Sequence, residues 1–229
     1  MHLLGLVMFL AAATETATLP SVGTTETAGI SNGVTFEVTV QGPAGEETPL
    51  QIACLFEYLE GDIYTSPPAL SKELNGMVHV DEALSGLITD IRKSKKFEGK
   101  ALETLLIVPP ANTLKAQKLL LIGLGDRTTF QPETMRLVGL VGMREALRLG
   151  VDSYAHASDL KDAGYSSPTA DVAGYVVQGA LEAYQTQSYL LSKNASDPLT
   201  VKKVTLLAGP AYLSDSVEGA KKIIEGETK

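Results

Sequence analysis

"KLLLIGLGDRTTFQPETMRLVGLVGMREALRLGVDSYAHA", residues 118–157, reads as a strand, a helix and a second strand in close succession. Lys118–Gly125 is a short apolar run closed by two glycines, the pattern of a central strand. Pro132 then opens a helix that reaches about Leu149. Glu133 lies in its first turn and Arg144 and Arg148 near its end, charges that complement the helix dipole. Val151–Ala157 alternates as a further strand.

The same alternation continues downstream. A helix from about Ala170 presents Ala173, Val177, Ala180 and Tyr184 at mixed three and four spacing, and Lys203–Gly209 follows as the last strand. "SDSVEGAKKIIEG" closes the chain as a helix, acidic at its front and basic towards its end. Upstream, Val34, Phe36, Val38 and Val40 alternate with Thr35, Glu37 and Thr39, a half-buried strand expected near a sheet edge. Ile52–Leu59 starts as a continuous apolar run, as a strand covered on both faces would. Residues 60–77, with Pro67 and Pro68, read as a long loop. Leu84, Leu87, Ile88 and Ile91 recur at helical spacing after Asp81 and Glu82. "TLLIV", ending before Pro109, is a second candidate for a central strand. The expected fold is α/β: a mixed, largely parallel sheet flanked by helices on both faces.

The 229 residues, 44% of them hydrophobic, suffice for one good core. A formal charge of -8 would repel phosphate backbones, so nucleic acid is not an expected partner. Three histidines and the single cysteine, Cys54, make neither a disulfide framework nor a cysteine-rich zinc site. Cys54 sits in the apolar run "QIACLF" and reads as a small buried hydrophobe. Leu3–Ala13 is apolar over about the length of a signal-peptide core and too short to span a bilayer. The Thr- and Gly-rich stretch behind it has no visible period. Residues 1–33 are therefore expected to be a signal-like leader and flexible linker, consistent with export to a periplasmic or secreted location, a cytoplasmic one being the alternative, and residues 34–229 a single domain.

Three segments in order carry a resemblance. They are "VDEALSGLITDIRKSKKFEGKALETLLI" (Val80–Ile107), "QKLLLIGLGDRTTFQPETMRLVGLVGMREAL" (Gln117–Leu147) and "VVQGALEAYQTQSYLLSK" (Val176–Lys193) with "KKVTLL" behind it. Together they resemble the N-terminal domain of the leucyl (cytosol) aminopeptidase family: its F-x-G-K turn, its L-x-G-L-G strand end with a Pro-started helix, and its G-x-x-x-x-Y helix. The resemblance implies a macro-domain-like fold. It also implies a peptidase centre lying wholly in a C-terminal domain, where a lysine and several carboxylates hold two metals and an arginine assists. None of those residues can be carried over onto this chain, whose sequence is expected to end where that half would begin.

Candidate chemistry within the chain is sparse. Gly123, Gly125 and Asp126 of "IGLGDR" are the cofactor-binding candidates, because amides at a strand end can cradle a phosphate, but the third glycine of the dinucleotide fingerprint is replaced by Thr128. Gly61–Ile63 invites comparison with the macro-domain aspartate that reads adenine. Here it follows the apolar strand, and "NGMVHVDEAL" offers only Gly76 for a diphosphate loop. His79 with Asp81, and Asp152, His156 and Asp159, are weighed as metal ligands and set aside as ordinary polarity, since no H-E-x-x-H accompanies them. No nucleophile stands in a triad setting; Tyr165, Tyr175, Tyr184 and Tyr189 read as packing residues, and "NAS" (Asn194–Ser196) as a glycosylation acceptor only in a eukaryotic secretory pathway. No catalytic residue, metal site or cofactor is expected. The expected function is a non-catalytic binding or interaction domain with a protein or small-molecule partner. The alternatives are one part of a split metallo-aminopeptidase, working only with a separate catalytic domain, and, from fold analogy, a nucleotide or ADP-ribose binder.

Overall fold

Neighbouring residues of the central strands go to two different cores. The computed structural model describes residues 18–64 and 70–226, so the expected leader and the Pro67–Pro68 pair lie outside the described residues. Within these residues the strands are β1 (Thr25–Ser31), β2 (Val34–Val40), β3 (Gln51–Leu55), β4 (Thr104–Ile107), β5 (Leu119–Gly123), β6 (Ser153–Ala157) and β7 (Lys203–Ala208). The helices are α1 (Gly76–Ala83), α2 (Leu87–Lys93), α3 (Thr134–Arg148), α4 (Thr169–Ser192) and α5 (Leu213–Gly226). One sheet runs in the order β1-β2-β7-β6-β3-β5-β4. Its five inner strands are parallel, and the two edge strands are antiparallel to their neighbours. Ile52 and Ile122 join Met135, Val176 and Ile224 in the core under α3, α4 and α5. Ala53 and Leu121 join Val78, Ile88 and Phe97 in the core under α1 and α2. Period-two alternation thus seats helices on both faces, as expected.

Helix layering on the first face depends on missing side chains. A Cβ on Gly139 would stand 2.1 Å from the Val176 carbonyl oxygen, and one on Gly179 would stand 1.7 Å from that of Arg136. The α3 and α4 backbones touch at these two points, and Gly219 brings α5 onto α4 in the same way.

Four expectations are corrected. The stretch read as linker up to residue 33 contains β1, so the sheet starts nine residues earlier. Its signal is the Asn32-Gly33 pair, both at positive φ (52° and 77°), which forms the two-residue hairpin turn between Ser31 and Val34. Val34–Val40 is consequently not an edge strand. "TLLIV" is not central either: β4 is the far edge, half-buried, and pairs antiparallel with β5. Finally, the helix expected around Leu84–Ile91 is two helices. The first begins earlier, at Gly76, and the chain breaks at Ser85 and Gly86 (φ 56° and 84°) before α2. Asp81 lies near the end of α1, and its carboxylate accepts from the Thr89 amide (3.1 Å) and hydroxyl (2.6 Å), tying the first turn of α2 to α1. No helix of the described residues is long and apolar enough to cross a membrane.

Candidate functional site

The chain leaves β3 for α1 on one face of the sheet and β6 for α4 on the other. Their loops diverge, and a crevice opens at the carboxyl ends of the strands, the usual ligand position in an open α/β sheet. About 580 Å³ of space, open solvent included, lies between its lining residues. Leu55, Ile63, Met77 and Leu160 give it apolar walls. Phe56 forms part of its floor and packs edge-on against Phe130, with ring centroids 5.0 Å apart and Tyr165 completing the cluster.

Two guanidinium groups, those of Arg92 and Arg127, line the crevice. Arg92 of α2 is 1% exposed and grips Asp62 through both oxygens (2.6 and 2.5 Å), while its Nη2 donates to the Phe56 carbonyl at 2.7 Å. A charge this deep is tolerable only because a carboxylate and a carbonyl replace its water. Arg127, in the turn after β5, donates Nη1 to the Ala163 carbonyl and lies over the Phe56 ring, 4.5 Å from its centroid. Burial lowers its basicity, the charge of Asp62 opposes that shift and the nearby Arg92 adds to it. The Nε atoms of both arginines are buried and have no acceptor among the described residues.

Two carboxylates, Asp159 and Asp162, line the crevice as well. Asp162 accepts from the Gly76 amide at 2.7 Å, at the start of α1. Gly76 has to be glycine at this contact, because a Cβ there would lie 2.7 Å from Pro43 Cδ and 2.8 Å from the Asp162 oxygen. Asn75 caps the same helix: its Oδ1 accepts from Met77 N (3.0 Å) and Val78 N (3.2 Å), and its amide donates to the Ile63 and Asp162 carbonyls. Burial pushes the Asp162 carboxyl up to about 7, with the Gly76 hydrogen bond opposing and Asp159 reinforcing. Asp159 is also raised by burial, against a hydrogen bond from the Lys161 amide.

The residues singled out in the sequence lie mostly elsewhere. Gly123 is inside β5, where a Cβ would stand 2.0 Å from the Lys100 carbonyl oxygen. Gly125 takes φ 79°, and the Gly123, Leu124 and Gly125 amides donate to the Glu103, Leu55 and Gly99 carbonyls. Asp126 accepts from Thr128 through that residue's amide (2.7 Å) and hydroxyl (2.8 Å). The amides proposed as a phosphate cradle therefore already serve the turn, and α3 begins only at Thr134. Asp62 of the "GDI" stretch does line the crevice, with its carboxylate held by Arg92. His156 is fully buried on β6, neither ring nitrogen is bonded among the described residues, and burial lowers it to about 4. It cannot share a metal with exposed Asp152, and among the described residues no three His, Cys, Asp or Glu side chains are grouped to hold an ion. Asp81 is fully buried and accepts a third hydrogen bond, from the Tyr64 hydroxyl at 3.0 Å. Burial pushes the Cys54 thiol up to about 12, as suits a hydrophobe rather than a nucleophile.

Arg92, Arg127 and Asp162 went unread in the sequence. Arg92 falls in the charge run "IRKSKK", which reads as a wet helix end, and the partners of all three come from distant loops.

Comparison with known proteins places this architecture. The description "Cytosol aminopeptidase family, N-terminal domain" matches residues 66–193. A "Probable cytosol aminopeptidase" of Roseiflexus castenholzii is 30% identical over 141 residues, which are 61% of this chain and 28% of that protein. One from Alkaliphilus oremlandii is 31% identical over 128 residues, 56% of this chain and 24% of the relative. The chain thus matches about a quarter of the length of these relatives. Among solved structures, a mutant macrodomain of Oceanobacillus iheyensis superposes with TM-score 0.58 at 15% identity, covering 93% of this chain and 97% of that one. The same macrodomain with ADP gives 0.56 at 16% identity, over 90% and 98%. A tomato leucine aminopeptidase mutant gives 0.56 at 15% identity, over 84% of this chain and 36% of that one. At such identities the structural likeness concerns the fold alone, which is macrodomain-like. With the family's domain matched over more than half of its residues, the chain belongs to the cytosol aminopeptidase family through its N-terminal domain.

Proposed function

We propose that these residues form a non-catalytic binding domain whose crevice at the ends of β3 and β6 receives a ligand or partner. The supporting observation is how the crevice's charged groups are held. Arg92 is clamped by Asp62 and the Phe56 carbonyl, and Asp162 is fixed to the start of α1. Groups locked this way bind and orient, whereas hydrolysis of a peptide needs an activated water or nucleophile with a base in reach. The purified chain with manganese or zinc and leucine p-nitroanilide is expected to release no product above the blank. Chelator-sensitive turnover would overturn the reading.

A second reading makes this domain one part of a metallo-aminopeptidase, contributing to peptide turnover only beside a catalytic domain. What favours it is the name of both relatives, probable cytosol aminopeptidase, and the quarter of their length that is matched. Co-purification with a separately expressed catalytic domain supports it; no complex at micromolar concentrations removes it. A nucleotide reading draws on the likeness to a macrodomain solved with ADP. The internal hydrogen bonds of the Gly123–Gly125 amides weigh against it, and a flat calorimetric trace with ADP-ribose ends it.

A further inference from the structure

We infer that the free edge of β4 is a self-association surface, on which a second copy of this chain pairs its own β4 antiparallel about a two-fold axis at Leu106. The inference goes beyond the binding-domain reading, since no residue of β4 lines the crevice. It starts from the unequal treatment of the two sheet edges. An edge strand presents unpaired amides and carbonyls, and a charge or a bulge on it keeps other chains from adding to the sheet. β1 has both: Glu26 lies in the strand, and its pairing with β2 slips between Thr27 and Gly29. β4 has neither over its length. Its register with β5 runs unbroken from Thr104 to Ile107, and "TLLIVPPANTL", residues 104–114, holds no charged side chain. Val108, directly behind the strand, is 72% exposed.

The backbone fixes which groups are free and where pairing is centred. The Gly123 amide donates to the Glu103 carbonyl, so by alternation Leu105 and Ile107 also turn their polar groups towards β5. Thr104, Leu106 and Val108 turn theirs outward, beyond the last strand of the sheet, where no backbone group of the described residues meets them. Leu102, at φ 61°, turns the chain before this stretch, and Pro110 has no amide to donate after it. The free stretch is therefore centred on Leu106. A two-fold there sets Leu106 against Leu106 and Thr104 against Val108 in both directions, so each outward amide finds a carbonyl. Any other centre sets one of the three against Leu102 or Pro110 and loses bonds. Charge selects the occupant. At a net charge of -8, two copies repel one another except where both contact faces are uncharged. β4 against β4 meets that condition, with β-branched Thr104 and Val108 as cross-strand neighbours. The short strand and the Pro109–Pro110 pair limit the area to the class of small interfaces, below about 1,200 Å² in total. A dissociation constant of about 10–100 µM is expected.

Sedimentation equilibrium of the full chain at concentrations up to about 500 µM tests this. Monomer and dimer are expected with no larger species, because a two-fold contact closes on itself. Thr104→Lys combined with Val108→Lys sets lysine against lysine on both sides of the axis and should weaken the dimer at least about tenfold. Thr104→Glu combined with Val108→Lys sets glutamate against lysine at the same places and should bring the affinity back to within about threefold of the parent. Both positions are exposed, so the melting curves of the two variants should match the parent's. A monomer at every concentration overturns the proposal. So does a dimer indifferent to the paired lysines, which assigns association to another surface, or one that both double variants weaken alike, which removes the register.

Discussion

Arg92 shows how much one residue can settle. Its guanidinium lines the crevice, fixes Asp62 and ties α2 to the end of β3 through the Phe56 carbonyl. Removing one member of such a pair strands the other charge out of water. Arg92→Met should therefore cost about 3–5 kcal/mol in urea unfolding, well above what loss of an exposed ion pair costs. A loss within that of the exposed Lys93–Glu60 pair would mean that Asp62 reaches water in the native state. The residue was invisible as a site because a basic helix end in sequence looks alike whether it meets solvent or a carboxylate thirty positions away.

At the scale of elements, end caps and close approaches decide geometry. Asn75 satisfies two amides at the start of α1 and reaches the loops before α1 and after β6 with its own amide. Asn75→Ala is expected to cost about 2 kcal/mol, read as a lower thermal midpoint. Loosening of the crevice should accompany it, seen as faster amide exchange at Met77 and Val78. Gly179 sits where α4 meets α3 backbone to backbone. Gly179→Ala would gain helix propensity in isolation, about 1 kcal/mol, but the added methyl has no room. A net loss of about 2–3 kcal/mol is expected by chemical denaturation, since two helix backbones must separate to admit it. Strand and helix types were legible from periodicity. The break between α1 and α2 was not, because Leu84, Leu87, Ile88 and Ile91 keep helical spacing across a left-handed turn.

For the whole molecule, two buried ionisable groups pull stability in opposite directions with pH. His156 titrates near 4 in the fold against 6.5 unfolded, so the unfolded chain binds the extra proton. Its contribution is intact above about 6.5 and is lost as the pH falls towards 4, about 3 kcal/mol in full. Asp162 is the reverse: its folded value is raised to about 7 from 3.8, so its contribution is present in acid and is lost as the pH rises through 7. Melting curves across pH 4–8 separate the two. His156→Leu should gain on the parent as the pH drops below about 6.5, and Asp162→Asn should gain on it as the pH rises from 3.8 to about 7, with no further gain above that. Parallel curves for His156→Leu and parent would show that the ring reaches water or finds a partner in the native state.

The sequence by itself determined the α/β class, the largely parallel sheet, helices on both faces and membership of the family's N-terminal domain. The class, the sheet and the helix layers follow from period, punctuation and apolar runs, which are local properties of the chain, and the family from the resemblance of three segments in order. Tertiary structure alone decided that β1 belongs to the sheet and that β4 is an edge. It also decided that Asp81 and His156 are interior, and that Asp62, Arg92, Arg127, Asp159 and Asp162 meet in one crevice. A charged side chain reads the same in sequence whether water or a distant partner satisfies it, and only the packed fold brings those partners within bonding distance.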